Sequence, residues 1–123
     1  MPLRCLIADD SDHFKEAARL FLEADGVAVV GVASTIAETL GRVGELRPDV
    51  VLVDIDLGGE SGFDLAQRLY DEGGGEPPPI ILISTHDEQD FAELIATSPA
   101  VAFLPKPRLS KRAIDEILRG ADA

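Results

Sequence analysis

Two stretches constrain the fold more than anything else in the chain: Val50-Val51-Leu52-Val53 and Ile80-Ile81-Leu82-Ile83. Both are unbroken aliphatic runs, mostly β-branched, with no polar residue to turn toward water. That is the composition of a strand covered on both faces. Each run stops abruptly on a polar residue, Asp54 in one case and Ser84 in the other. Strands of this kind sit at the centre of parallel sheets that carry helices above and below.

The rest of the chain supplies those helices. Leu3 to Ala8 is a short apolar strand closed by Asp9-Asp10. Beyond it Phe14, Ala17, Ala18 and Phe21 recur at helical spacing, predicting one buried stripe, with Asp12 as cap and Asp25-Gly26 as the stop. Val27 to Ala33 is β-rich. Thr35 and Glu38 then form a capping box ahead of Ile36, Leu40 and Val43, and Arg47-Pro48 ends that helix. Leu65, Ala66 and Leu69 mark a third helix, Phe91, Leu94 and Ile95 a fourth, and Ile114, Ile117 and Leu118 a last one begun at Ser110. Val101 to Leu104 is the fifth strand, and Gly73 to Pro79 is too rich in Gly and Pro to be anything but a connector.

The order is strand-helix five times over 123 residues. We read a single domain spanning 1–123 with no output domain. The fold class is α/β: a five-stranded parallel sheet, flavodoxin-like and doubly wound, in strand order 2-1-3-4-5 with right-handed crossovers.

Composition narrows the function classes. A single Cys excludes a disulfide framework and a Cys-based zinc site, and Cys5 is read as a buried strand filler. A net charge of −12 makes the chain a poor binder of nucleic acid or anionic membrane. The segment from Lys106 onward carries five bases against three acids, which reads as a solvated or partner-docking helix face. No apolar run approaches the ~18 residues of a membrane span, and no signal peptide opens the chain, so a cytoplasmic protein is expected.

In doubly wound sheets ligands bind beyond the carboxyl ends of the strands. Asp9-Asp10, Asp54-Ile55-Asp56, Ser84-Thr85 and Lys106, the last between Pro105 and Pro107, all fall on that rim. Two like charges ~4 Å apart repel by about 4 kcal/mol at an effective dielectric near 20, so either some carboxyl pKa values rise or a cation sits among them. An all-oxygen set with only His13 and His86 in the chain favours Mg²⁺, with Mn²⁺ as a substitute. Lys106 pairs with these acids or with an anion bound to them. His13 reads as a helix-surface residue.

The constellation resembles the receiver domain of two-component response regulators, from Leu3 to about Leu118, and Gly62, eight residues after Asp54, fits as well. The resemblance implies that Asp54 accepts a phosphoryl group from the phosphohistidine of a sensor histidine kinase or phosphotransfer protein. It places Mg²⁺ on Asp9, Asp10, Asp54 and the backbone carbonyl of Asp56. Lys106 would pair with the aspartyl phosphate across a cis Lys106-Pro107 peptide. Ser84 and Phe103 would be the switch pair, and Asp56 and His86 would set the phosphate lifetime.

The output would be a changed face of fourth helix, fifth strand and fifth helix, directed at a downstream target or output domain, with homodimerisation on phosphorylation left open. Such a protein is no enzyme beyond its own phosphorylation and dephosphorylation. Two departures from the family pattern stand out. Gly58-Gly59 replaces the usual Pro at Gly58, which would loosen the loop after Asp54, and Thr97-Ser98-Pro99-Ala100 stands where a Gly-Ala pair is usual. Two alternatives remain. One is a haloacid-dehalogenase-type phosphatase using Asp54 and Asp56, against which the early position of Asp9-Asp10 counts. The other is a phosphorylation-independent adaptor on the same fold.

Overall fold

The two aliphatic runs lie side by side in the middle of a five-stranded parallel sheet. The computed structural model describes residues 2–72 and 76–122. Strand β1 (Arg4–Ala8) leads into α1 (Asp12–Ala24), β2 (Ala28–Ala33) into α2 (Ile36–Leu46), and β3 (Val50–Asp54) into a small hairpin. The hairpin strands are β4 (Asp56–Leu57) and β5 (Glu60–Ser61), followed by α3 (Gly62–Glu72) and β6 (Ile80–Ser84). A 3-10 turn at Glu88–Phe91 runs into α4 (Ala92–Thr97). Then come β7 (Ala102–Pro105), a second 3-10 turn at Lys106–Arg108, and α5 (Lys111–Asp122). The sheet order β2-β1-β3-β6-β7 is the expected one once the separate hairpin is set aside. Gly73–Gly75 of the expected connector lie outside the described residues.

Alternation along each strand divides the core into two layers, because successive side chains point to opposite faces. Cys5, Ile7, Val50, Leu52, Ile81 and Ile83 pack with Leu22 of α1 and Ile114 of α5. On the other face Leu6, Val51, Val53 and Leu82 pack with Ile36 of α2 and with Leu65 and Leu69 of α3. All five residues of β3 and all five of β6 are buried. Truncating any one of these aliphatics to Ala costs about 2–5 kcal/mol.

Three local expectations are revised. The N-cap of α1 is Ser11, whose hydroxyl accepts from the Phe14 N–H, so Asp12 is the first helical residue and not the cap. Of the expected stripe Phe14 and Ala18 face the core, joined there by Lys15 and Leu22, whereas Phe21 is 52% exposed and Ala17 faces solvent. The helix is rotated by about one residue because Leu22 fills the layer over β1, and Lys15 completes the stripe with its apolar stem. Its ammonium is held by Ser34 Oγ and by Asp12 Oδ1 at 3.1 Å. Finally, the described residues contain no cis peptide, so Lys106-Pro107 is trans, the isomer that lets Pro107 enter the 3-10 turn.

At the opposite end of the sheet from the acidic rim, α2 stops where Arg47 adopts φ 48°, the residue before Pro48 being barred from continuing the helix. The Arg4 guanidinium covers the exposed carbonyls there, donating to Leu46 O at 2.7 Å and Arg47 O at 2.8 Å. The next residue along β1 is Cys5, which has no exposed surface, and burial pushes its thiol up to about 12. Because the thiolate is the reactive form, Cys5 in the native protein should resist iodoacetamide at neutral pH and be alkylated rapidly once denaturant unfolds the chain. Equal rates in the two states would contradict this placement.

Candidate functional site

The parallel register delivers four strand ends to one rim. β1 pairs with β3 as far as Ala8 and Val53, so Asp9 and Asp10 follow directly beside Asp54. β3 pairs with β6 through Asp54 and Ile83, and β6 with β7 through Ser84 and Pro105, which puts Ser84 and Lys106 on the same rim. One carboxylate oxygen from each of Asp9, Asp10 and Asp54 lies within 4.8 Å of the other two. Asp9 is fully buried, Asp54 is 7% exposed, and Asp10 is open to solvent.

The Lys106 ammonium reaches back into this group, 2.7 Å from Asp9 Oδ2 and 3.0 Å from Asp54 Oδ2. The remaining oxygens are engaged locally: Asp9 Oδ1 accepts the Ser11 N–H at 2.8 Å and Asp54 Oδ1 the Asp56 N–H at 3.0 Å. Burial raises the pKa of Asp54, the Asp56 N–H and Lys106 oppose that rise, and the charge on Asp9 adds to it; the net shift is upward. For Lys106 burial pulls downward, but the two carboxylates outweigh it and the ammonium is held charged.

Three carboxylates against one ammonium leave this cluster short of positive charge. Among the described residues the buried Asp9 Oδ2 has no neighbour of opposite charge but the Lys106 ammonium at 2.7 Å, which it shares with Asp54. A buried carboxylate oxygen served only by a shared ammonium, beside two further carboxylate oxygens, is a donor set for a hard divalent cation. The cluster can coordinate such an ion.

The two glycines after Asp54 form the turn of a hairpin. Gly58 and Gly59 have φ of 61° and 100°, the two left-handed positions of a tight two-residue hairpin turn, with Asp56 paired to Ser61 and Leu57 to Glu60. The turn lies against Asp10: a Cβ on Gly58 would sit 3.2 Å from Asp10 Oδ2. Gly62 is required for a different reason, since a Cβ there would fall 2.0 Å from the Asp54 carbonyl oxygen. The chain can pass directly behind Asp54 only where no side chain intervenes.

Ser84 is buried, and its Oγ accepts the His86 N–H at 2.9 Å rather than meeting the carboxylates. His86 is exposed and packs edge-on against Phe91, ring centres 5.8 Å apart. Phe103 is half-buried against the α2–α3 layer. Asp56 is exposed on the hairpin, and its backbone N–H orients Asp54. Sequence reasoning missed Phe14, whose ring centre lies 4.2 Å from the Lys106 ammonium. Its place on the α1 stripe identified it only as core. Its face offers the cation a contact beyond the two carboxylates.

Residues 5–119 match the response regulator receiver domain family. The chain is 35% identical over 119 residues to protein-glutamate methylesterase/protein-glutamine glutaminase 1 of Syntrophus aciditrophicus, covering 92% of this chain and 33% of that protein. It is 37% identical over 107 residues to the positive alginate biosynthesis regulatory protein of Pseudomonas aeruginosa, covering 85% of this chain and 42% of that one. It thus spans about a third to two fifths of the length of these relatives. Among solved structures, the signal receiver domain of the putative response regulator NarL from Mycobacterium tuberculosis superposes with a TM-score of 0.81 at 28% identity. That match covers 95% of this chain and 97% of that one. No helix among the described residues is long and apolar enough to cross a membrane.

The contact between Phe14 and Lys106 should be measurable as a coupling energy. In a double-mutant cycle of Phe14→Leu and Lys106→Met, followed by denaturant unfolding, we expect about 0.5–1 kcal/mol of interaction. A coupling indistinguishable from zero would mean that the ring only fills space.

Proposed function

This chain belongs to the response regulator receiver domain family, and we propose that it acts as a phosphoryl-accepting switch with Asp54 as the acceptor. The observation that carries the reading is the single ammonium of Lys106 shared between Asp9 and Asp54, beside a third carboxylate from Asp10. Phosphoryl transfer asks a protein for a positioned nucleophile, a divalent ion and a fixed cation, and little covalent work. An Asp54 oxygen forms the new P–O bond while the P–N bond to the donor imidazole breaks. The bonding pair goes to that nitrogen, which takes up a proton.

Asp9, Asp10, Asp54 and the backbone carbonyl of Asp56 would hold Mg²⁺, or Mn²⁺ in its place. The ion supplies neutralisation of the charge on the transferring oxygens. Lys106 keeps its pairing to Asp54 through the step and so offers the product a ready counter-charge. Ser84 Oγ already accepts from the His86 N–H, which leaves its own hydrogen free to donate to a phosphoryl oxygen. Turning Ser84 toward the phosphoryl group empties volume at the end of β6. Phe103, on the neighbouring strand, is placed to move into it and so alter the face of α4, β7 and α5.

The partners that follow from this reading are a sensor histidine kinase or phosphotransfer protein upstream and a target or output domain downstream. We take residues 1–123 as one receiver unit. The methylesterase and alginate-regulatory roles belong to the relatives that carry those names.

Labelling tests the reading. A small acyl phosphate should place at most one phosphoryl group per chain, only with Mg²⁺ or Mn²⁺ present, and none on Asp54→Asn. Repeated turnover of an aryl phosphate would instead indicate a phosphatase, and partner binding unaffected by Asp54→Asn would indicate an adaptor. Asp56 and His86 stand on either side of the acceptor in this scheme. Asp56→Ala and His86→Ala should each change the decay of phosphorylated Asp54 severalfold, and unchanged decay in both would remove them from the mechanism.

A further inference from the structure

At the start of helix α2, two of its own amide groups and one just ahead of it are held by side chains. Two of these holds are local: Thr35 Oγ1 accepts the Glu38 N–H at 3.1 Å, and Glu38 Oε1 accepts the Ser34 N–H at 3.2 Å. The third comes from elsewhere. Glu60 Oε1, on hairpin strand β5, accepts the N–H of Ile36 at 3.0 Å across 24 residues of sequence. A carboxylate is favoured there, since the first amides of a helix lack internal partners and the helix dipole is positive at that end. Helix and hairpin also share a packing layer, in which Ile36 is 7% and Leu57 2% exposed.

The same hairpin touches the carboxylate cluster at two points. The Asp56 N–H holds Asp54 Oδ1, and the Gly58 turn lies against Asp10, close enough that a single added methyl group would meet its carboxylate. Six residues thus contact two of the three acidic groups and are tied at their far strand to the start of a helix that contributes no ligand. We propose that Glu60 is a positioning residue: by tethering the hairpin to α2 it fixes the approach of Asp10 and Asp54 to a divalent cation, so that ion binding and ordering of the α2 start are coupled. This rests on the cation-binding reading of the cluster. Coupling is reciprocal, so an ion that prefers the tethered hairpin must tighten the Glu60–Ile36 contact in return.

The test is a Mn²⁺ titration followed by electron paramagnetic resonance on the wild type, Glu60→Gln and Glu60→Ala, with amide exchange at Ile36 recorded with and without Mg²⁺. Gln retains an acceptor oxygen and should bind within about twofold of the wild type. Ala should bind about five- to tenfold more weakly, at the lower end of usual coupling strengths. Mg²⁺ should slow exchange of the Ile36 amide in the wild type and leave it unchanged in Glu60→Ala. Equal Mn²⁺ affinity in all three proteins, or an Ile36 amide indifferent to Mg²⁺ in the wild type, overturns the proposal while leaving the cation site intact. A wild type that binds no Mn²⁺ overturns the cation reading itself. The wild-type exchange measurement requires no variant, so an unfolded Glu60→Ala leaves the test decisive.

Discussion

The interaction on which the rest depends is the ion pair of Lys106 with both Asp9 and Asp54. Burying two carboxylates costs several kcal/mol apiece without compensation, and only a cation brought to them makes the arrangement tolerable. The sheet is the device that brings it. Parallel strands end at one rim, and β1, β3 and β7 each contribute one member of the pairings from chain positions nearly a hundred residues apart. The aliphatic interiors of β3 and β6 keep water from the strands beneath, so the charges are buffered by one another and by the Ser11 and Asp56 amides rather than by solvent.

Much of this is legible in the sequence. Runs such as Val50–Val53 admit one kind of environment, and the polar residue that ends each run marks the rim, so Asp9, Asp10, Asp54, Ser84 and Lys106 followed from placement along the chain. What escaped depends on rotation or on distance in sequence. The stripe of α1 turned by one position because periodicity alone does not say which of two adjacent apolar rows meets the sheet, and a buried Lys15 is invisible to a count of hydrophobic residues. The contact of Phe14 with Lys106 and that of Glu60 with Ile36 join elements whose spacing only the folded chain defines. The hairpin turn at Gly58-Gly59 is also legible in the sequence. Flanked by Leu57 and Glu60, a Gly-Gly pair carries the signal of a tight two-residue turn.

The likeness to other receiver domains is greater in backbone than in sequence, 28% identity accompanying a TM-score of 0.81 in the comparison with the mycobacterial domain. Such tolerance is expected when two layers of aliphatic side chains need only volume and patterning. The rim obeys stricter rules. Gly62 faces the Asp54 carbonyl oxygen at a distance that excludes any side chain, and a single methyl group there would dislodge the acceptor.

The edge position of β7 bears on how the molecule is assembled. Because the counter-charge follows β7, the last strand of this sheet in chain order, a nascent polypeptide presents Asp9, Asp10 and Asp54 before the ammonium that pairs with two of them has been made. Parallel pairings between distant segments are slow to form, and here the final docking event both completes the sheet and discharges the electrostatic tension of the opposite strands. A chain cut short of residue 106 would therefore be a folding intermediate with its repulsion still unrelieved.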